Sequence, residues 1–418
     1  MMNVRQTLQR ADRGVVAKTL LTSCALALFS TSTLVAADWR QFRGTGIDGL
    51  AASETVPTSW SDSENVAWKL PLQNKGVSGP IVVGSQVFIT ESSGHKQNRL
   101  HVRCLDAATG RTTWERQFRA TGRTQCHNKM AVATGTPASD GKRVFAFYSS
   151  NDLVCLDLEG NLQWYRALGI EHPNASNSLG MASSPVVVDG VVVAQVESDA
   201  EGFAVGVDAQ TGKTLWKIER PRAANWTSPT ILPRGAGKSS LVLLQSSKGV
   251  SAVDVKTGEE AWNYGDGAST IPSSVISEGL VFVPSNGITA LRPNDASSAP
   301  ELVWQENKLG PPTASPLAYK GRLYTVNRAG VLTCAETATG KDVWRLRLKG
   351  PFSATPVLAG GHLYFVNEKG LAQVVRLGDD GGEVVTSVEL NDRFLSSPAV
   401  ADGALYIRGD KQLWKIAR

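Results

Sequence analysis

Three stretches of the sequence hold side chains able to bind or transform a ligand. Arg119, Arg123, Cys126, His127, Asn128 and Lys129 fall within residues 115–136, and Glu171, His172, Asn174, Asn177 and Ser178 within 165–184. Arg222, Asn225 and Trp226 follow shortly after. Histidine titrates near neutrality, Asn and Arg offer several directed hydrogen bonds, and Trp presents a stacking plane to a sugar, peptide or ring. Against this stand simpler roles: His127 and His172 as solvated or packing side chains, Trp226 as a filler of internal space. Cys126-His127 is a poor metal pair, because adjacent ligands are geometrically awkward and no companion pair follows at a usual spacing, so no metal is expected. Glu197, Asp199 and Glu201 read as a solvated acidic hairpin tip rather than a calcium site.

What could bring these stretches together is a repeat. Small-x-Asp-x-x-Thr-Gly-x-x-x-Trp runs from Cys104 to Trp114, Gly206 to Trp216 and Ala252 to Trp262, and with Glu336 in place of Asp from Cys334 to Trp344. Similarity at a period of forty-odd residues implies a stack or ring of identical supersecondary units. Each unit opens at a small residue, usually Ser or Thr before Pro: Gly79, Thr136, Ser184, Ser228, Ser315, Thr355 and Ser397, with Ser274 taking the place of the proline in the remaining unit. Four short β-type runs separated by turn residues follow each opening, and eight such units predict an eight-bladed β-propeller of four-stranded antiparallel blades. In the unit from Thr313 the strands are expected at 316–319, 322–326, 330–335 and 341–346. Trp68, Trp114, Trp164, Trp216, Trp262, Trp304 and Trp344 close outer strands and are expected to wedge between neighbouring sheets. The repeated Asp and Thr are expected to bond turn amides, with Gly in the left-handed conformation.

The ends of the chain carry further expectations. The last unit stops after three strands, whereas residues 65–70 look like an outer strand without a unit; pairing them would close the ring and remove two sheet edges. Residues 1–37, with Arg5, Arg10, Arg13 and Lys18 before an apolar run ending Val35-Ala36-Ala37, read as a secretory signal peptide. Leu21-Thr22-Ser23-Cys24 offers a lesser reading as a lipidation site. Residues 38–64 are then a leading segment in which Trp39 and Phe42 pin the chain across a blade, and 65–418 the propeller. Without the leader, which holds four basic residues and one acidic, the net charge falls from +5 to +2, and no long basic run remains. Nucleic acid is therefore not an expected partner, and no other stretch approaches a membrane span. Cys104, Cys155 and Cys334 share one repeat position held elsewhere by Gly206, Ala252 and Ala290, which marks them as small buried side chains rather than disulfide partners.

The Asp-x-x-Thr-Gly-x-x-x-Trp motif resembles the tryptophan-docking repeat of pyrroloquinoline-quinone-type propellers, and the resemblance spans residues 65–418. It implies one of two branches, the quinoprotein alcohol dehydrogenases or the BamB-like scaffolds of outer-membrane protein assembly. Residues 38–44, Asp-Trp-Arg-Gln-Phe-Arg-Gly, are similar to the start of exported propellers of planctomycete-type bacteria. The dehydrogenase branch implies two adjacent cysteines above the quinone and a Glu, an Asn and often an Asp around calcium. This chain has no Cys-Cys pair, and no calcium motif can be placed on its residues. The expectation is an exported, non-catalytic, monomeric propeller of the periplasm or cell envelope, with no cofactor, binding a protein partner or envelope ligand. A quinone- and calcium-dependent oxidoreductase is the alternative, and a carbohydrate-binding or carbohydrate-active propeller the next.

Overall fold

The computed structural model describes residues 38–418 apart from Asp62 and 295–298. The leader and the Cys24 site lie outside the described residues. The described residues form one unit whose regular elements are almost all strands.

Eight antiparallel blades are present. Blade 6 shows the plan: Leu317–Tyr319 innermost, then Arg322–Val326, Val331–Glu336 and the outer Asp342–Arg347. The last two strands begin one residue later than the sequence pattern suggests, because Gly330 at φ 79° belongs to the hairpin turn and Lys341, whose carbonyl accepts from the Glu336 N–H, to the turn after it. Blade 8 is assembled from both ends of the described chain. Val66–Pro71 pairs antiparallel with Gln412–Ile416, Lys69 opposite Trp414, and supplies the missing outer strand. The innermost strands of blades 8 and 1, Ala399–Ala401 and Ile81–Val83, lie side by side, so the ring is closed.

The tryptophans hold blade to blade. The Trp216 indole N–H donates to the Val255 carbonyl of the next blade at 2.7 Å, and Trp68, Trp114, Trp164, Trp304 and Trp344 repeat the contact at 2.9–3.3 Å. Trp262 is buried likewise. Under Trp68, Trp164, Trp216 and Trp304 sits the glycine of the following Thr-Gly turn: a Cβ on Gly258 would lie 2.7 Å from Trp216, and one on Gly110 2.6 Å from Trp68. Glycine is needed there twice over, for positive φ and for room. The repeated acids are structural as expected, Asp106 Oδ1 accepting from both the N–H and the hydroxyl of Thr109 at 2.8 and 2.7 Å. Cys104, Cys155 and Cys334 are buried free thiols, packed among apolar side chains.

Around the axis runs a second device. The backbone N–H of each opening residue donates to the side-chain hydroxyl of its successor one blade on: Gly79 to Thr136, Thr136 to Ser184, Ser184 to Ser228, Ser228 to Ser273, Ser273 to Ser315, Ser315 to Thr355 and Thr355 to Ser397, all at 2.9–3.1 Å. Only Gly79 has no hydroxyl to offer. Replacing Ser184 by Ala would strand the buried Thr136 N–H, and a loss of about 1–3 kcal/mol is expected in urea denaturation.

The leading segment differs from its expectation. Rather than crossing one blade, it crosses the channel at the end opposite the blade-to-blade connections. Trp39 bridges to Val82 of blade 1, and the Arg40 carbonyl accepts from Ser139 of blade 2. The Gln41 side chain then caps the Val187 N–H of blade 3, and Arg43 donates to Thr230 and the Ser274 carbonyl in blades 4 and 5. Leu50–Ala51 finally adds a parallel strand to the inner edge of blade 7. Burial lowers the Arg43 guanidinium pKa to about 10 despite nearby Asp48. Phe42 turns inward and forms part of the channel lining.

Candidate functional site

A cavity of about 470 Å³ opens at the channel mouth. Its wall has three levels. Phe42 of the leading segment contributes at the far end, the ring of opening residues from Gly79 round to Ser397 encircles the axis, and the blade connections form the rim. Val77, Met130, Leu179, Trp226, Ile271 and Leu395 make that rim largely apolar, with His127 and Lys129 as its ionisable members. Leu179 and Ile271 are 44% and 45% exposed, although large apolar side chains normally avoid water.

The two longest connections and the one after them meet at a single point. His127 N–H donates to the Leu179 carbonyl at 3.0 Å, and the Trp226 indole donates to the adjacent Gly180 carbonyl at 2.8 Å. His127 Nδ1 accepts from the Lys129 N–H at 3.1 Å. Lys129 Nζ pairs with Glu368 on the hairpin of blade 7 at 2.6 Å, tying the first long loop to a blade on the other side of blade 8. Ser353 donates to the other Glu368 oxygen at 2.8 Å. Burial pushes the Glu368 carboxyl upward, but these hydrogen bonds and the charge of Lys129 outweigh it and hold the group below its ordinary value. A carboxylate depressed in the fold contributes stability that is complete above its unfolded pKa and lost as pH falls through the folded one. The latch is therefore expected to stay closed at neutrality and to open only below the ordinary glutamate range. Carboxyl NMR titration of Glu368 should show this, with Lys129→Gln raising its midpoint.

Of the residues singled out in sequence, His127, Lys129 and Trp226 line the cavity, and the others serve elsewhere. Asn128 and Arg222 are exposed outside it. Asn177 caps the Leu179 N–H at 2.9 Å and so shapes the rim from behind. Asn225 is buried and donates to the Gln245 carbonyl at 2.8 Å. His172 bonds Glu201 at 2.6 Å and packs on Phe203, and the Asn174 carbonyl accepts from Ser176. The acidic tip is a solvated turn at Asp199 but not at Glu197. Glu197 is buried against Arg220 at 2.8 Å; burial raises its pKa and Arg220 opposes that rise. Only Asp199 is free of an ion pair, capping the Ala224 N–H at 3.1 Å. Phe42, Met130, Leu179, Ile271 and Leu395 carried no chemical signal in sequence. The hydroxyl ring did carry one, since a Ser or Thr recurs at the head of nearly every inner strand.

The comparisons agree with this architecture. The family model described as outer membrane protein assembly factor BamB matches residues 52–264, 191–299 and 295–381. The chain belongs to that family. Among curated relatives, the dehydrogenase subunit of the quinone-type alcohol dehydrogenase of Gluconobacter oxydans is 27% identical over 62% of this chain and 36% of its own length. A polyvinylalcohol dehydrogenase of a Pseudomonas species is 26% identical over 43% of this chain and 33% of its own. The chain thus spans about a third of the curated relatives it matches. BamB from Moraxella catarrhalis superposes with a TM-score of 0.60 at 15% identity, over 84% of this chain and 97% of that one.

The quinone and calcium implied by the dehydrogenase branch can be tried against these residues. Calcium takes about six to eight oxygen ligands, typically including carboxylates. The described residues lining the cavity give hydroxyls, one imidazole and one ammonium, but no carboxylate. Elsewhere among the described residues no three His, Cys, Asp or Glu side chains converge as metal ligands. Cys126, the thiol nearest the rim, has no cysteine beside it and is pushed upward in pKa by burial. The donor set does not fit that ion.

Proposed function

We infer that the protein is an exported, non-catalytic binding platform whose channel mouth receives a partner protein in the cell envelope. One observation carries the reading: the mouth combines exposed apolar side chains with hydroxyls and lacks the carboxylates of a metal centre. Exposed Leu179 and Ile271 stand on blade connections and line the same cavity, and an apolar patch rimmed by polar groups is the signature of an interaction surface. Export rests on the leader-like residues 1–37, and no described helix is long and apolar enough to cross a membrane. A photo-crosslinking residue placed at 179 or 271 in the full chain, in its native host, should capture a protein of one defined mass. Controls at the exposed outer-strand positions 215 and 302 should not; equal capture from both sets would defeat the reading.

A further inference from the structure

We propose that the hydroxyl ring of the mouth cavity binds the carboxylate of a ligand whose remaining body is apolar. This deepens the reading of the mouth as a binding site and rests on it. The seven hydroxyls from Thr136 round to Ser397 each use one lone pair to accept an N–H from the neighbouring blade. A hydroxyl has one donor besides its two acceptor sites. Among the described residues, none of these seven hydrogens has an acceptor within bonding distance, and all seven residues line the same cavity. The accepted N–H fixes each oxygen, while the hydrogen stays free to rotate toward the axis. Uncommitted donors converging on one space call for a partner rich in acceptor oxygen. An ionised oxygen makes shorter bonds, roughly twice as strong as a neutral one makes.

The levels on either side of the ring define the rest of the ligand. Phe42 lies on one side, and on the other stands the apolar collar of Val77, Met130, Leu179, Trp226, Ile271 and Leu395. Uncommitted hydroxyl donors thus occur at one height only, with His127 and Lys129 as the polar members of the rim. A sugar, polar over its whole body, would press unsatisfied hydroxyls against that collar, whereas an apolar chain ending in a carboxylate matches both levels. Lys129 is engaged with Glu368, so the anion is held by neutral donors rather than by a free cation. Selectivity then comes from oxygen geometry.

Two sources carry this chemistry: a free organic acid and the C-terminus of a polypeptide. Calorimetry on the purified full chain at neutral pH separates them, using hexanoate against hexanamide and a short leucine-ended peptide with a free against an amidated end. At least one acid is expected to bind tenfold or more tightly than its amide. Binding of hexanoate alone assigns the site to a small acid, and binding of the free-ended peptide alone to a polypeptide. The double variant Ser228→Ala/Ser273→Ala should weaken the acid at least tenfold; if it does not fold, the acid-to-amide ratio of the unaltered chain decides. Equal affinity for acid and amide, or no binding of either acid, overturns the proposal. Crosslinking at positions 179 and 271 is scored without any added acid, so the failure of one reading is distinguishable from that of the other.

Discussion

A chain beginning at Leu72 is expected to lose its cooperative unfolding transition. That truncation removes Val66–Pro71, the outer strand of blade 8, and leaves Gln412–Ile416 as an unpaired edge beside blade 1. It also removes the Trp68 indole from the Ala107 carbonyl and from the face of Gly110, the docking contact between blades 8 and 1. With it goes the leading segment, which bonds blades 1 to 5 and blade 7 in turn. Val56 and Trp60 leave the cluster that holds Tyr364, Phe394 and Trp414 together. A ring differs from a linear stack in that every blade has two neighbours; removing this strand weakens the seam between blades 8 and 1 and bares one sheet edge, a template for aggregation. Calorimetry should show a broad, low-temperature, aggregating transition. An unchanged melting temperature would mean that the ends do not close the ring.

Replacing Trp216 by Ala should cost about 3–5 kcal/mol, the usual loss for truncating a buried large aromatic side chain. The side chain is 6% exposed and packs with Val193, Ala204, Val242, Leu244 and Val253, so two blades share it. Truncation also strips the Val255 carbonyl of its indole donor. Native domains are stable by only about 5–15 kcal/mol, so this single change should move the urea midpoint substantially. Leu215→Ala, one residue away on the solvent side and 48% exposed, provides the control and should be near neutral. Similar midpoints for the two variants would mean that the indole is not a wedge between sheets.

The docking tryptophans, the acids of the Thr-Gly turns and the closing strand at residues 65–70 were legible because a fixed period exposes any side chain with a fixed task. Each repeat is a separate statement of the same constraint. The leading segment has no such redundancy. Trp39, Gln41 and Arg43 each meet a different blade, so nothing local in 38–51 signals a path across the channel. Glu197 departs from its expectation for a related reason. Ser198 to Glu201 do form the turn, but Glu197 is the last strand residue, and its partner Arg220 comes from the following connection. At the site, polarity drew notice to His127, Lys129 and Trp226, which do line the cavity, and equally to Asn225 and His172, which satisfy their own neighbourhoods. Leu179 and Ile271 escaped notice because an apolar side chain is conspicuous only once its exposure is known. The hydroxyls before the prolines were visible throughout, but their joint position around the axis appears only when the ring closes.

We propose that this mouth binds rather than oxidises. The most direct test is titration of the purified full chain with pyrroloquinoline quinone and calcium, following quinone absorbance and dye-linked alcohol oxidation in the same samples. No turnover and no stoichiometric uptake of the pair are expected. One quinone taken up per chain, with alcohol-dependent dye reduction, would contradict it.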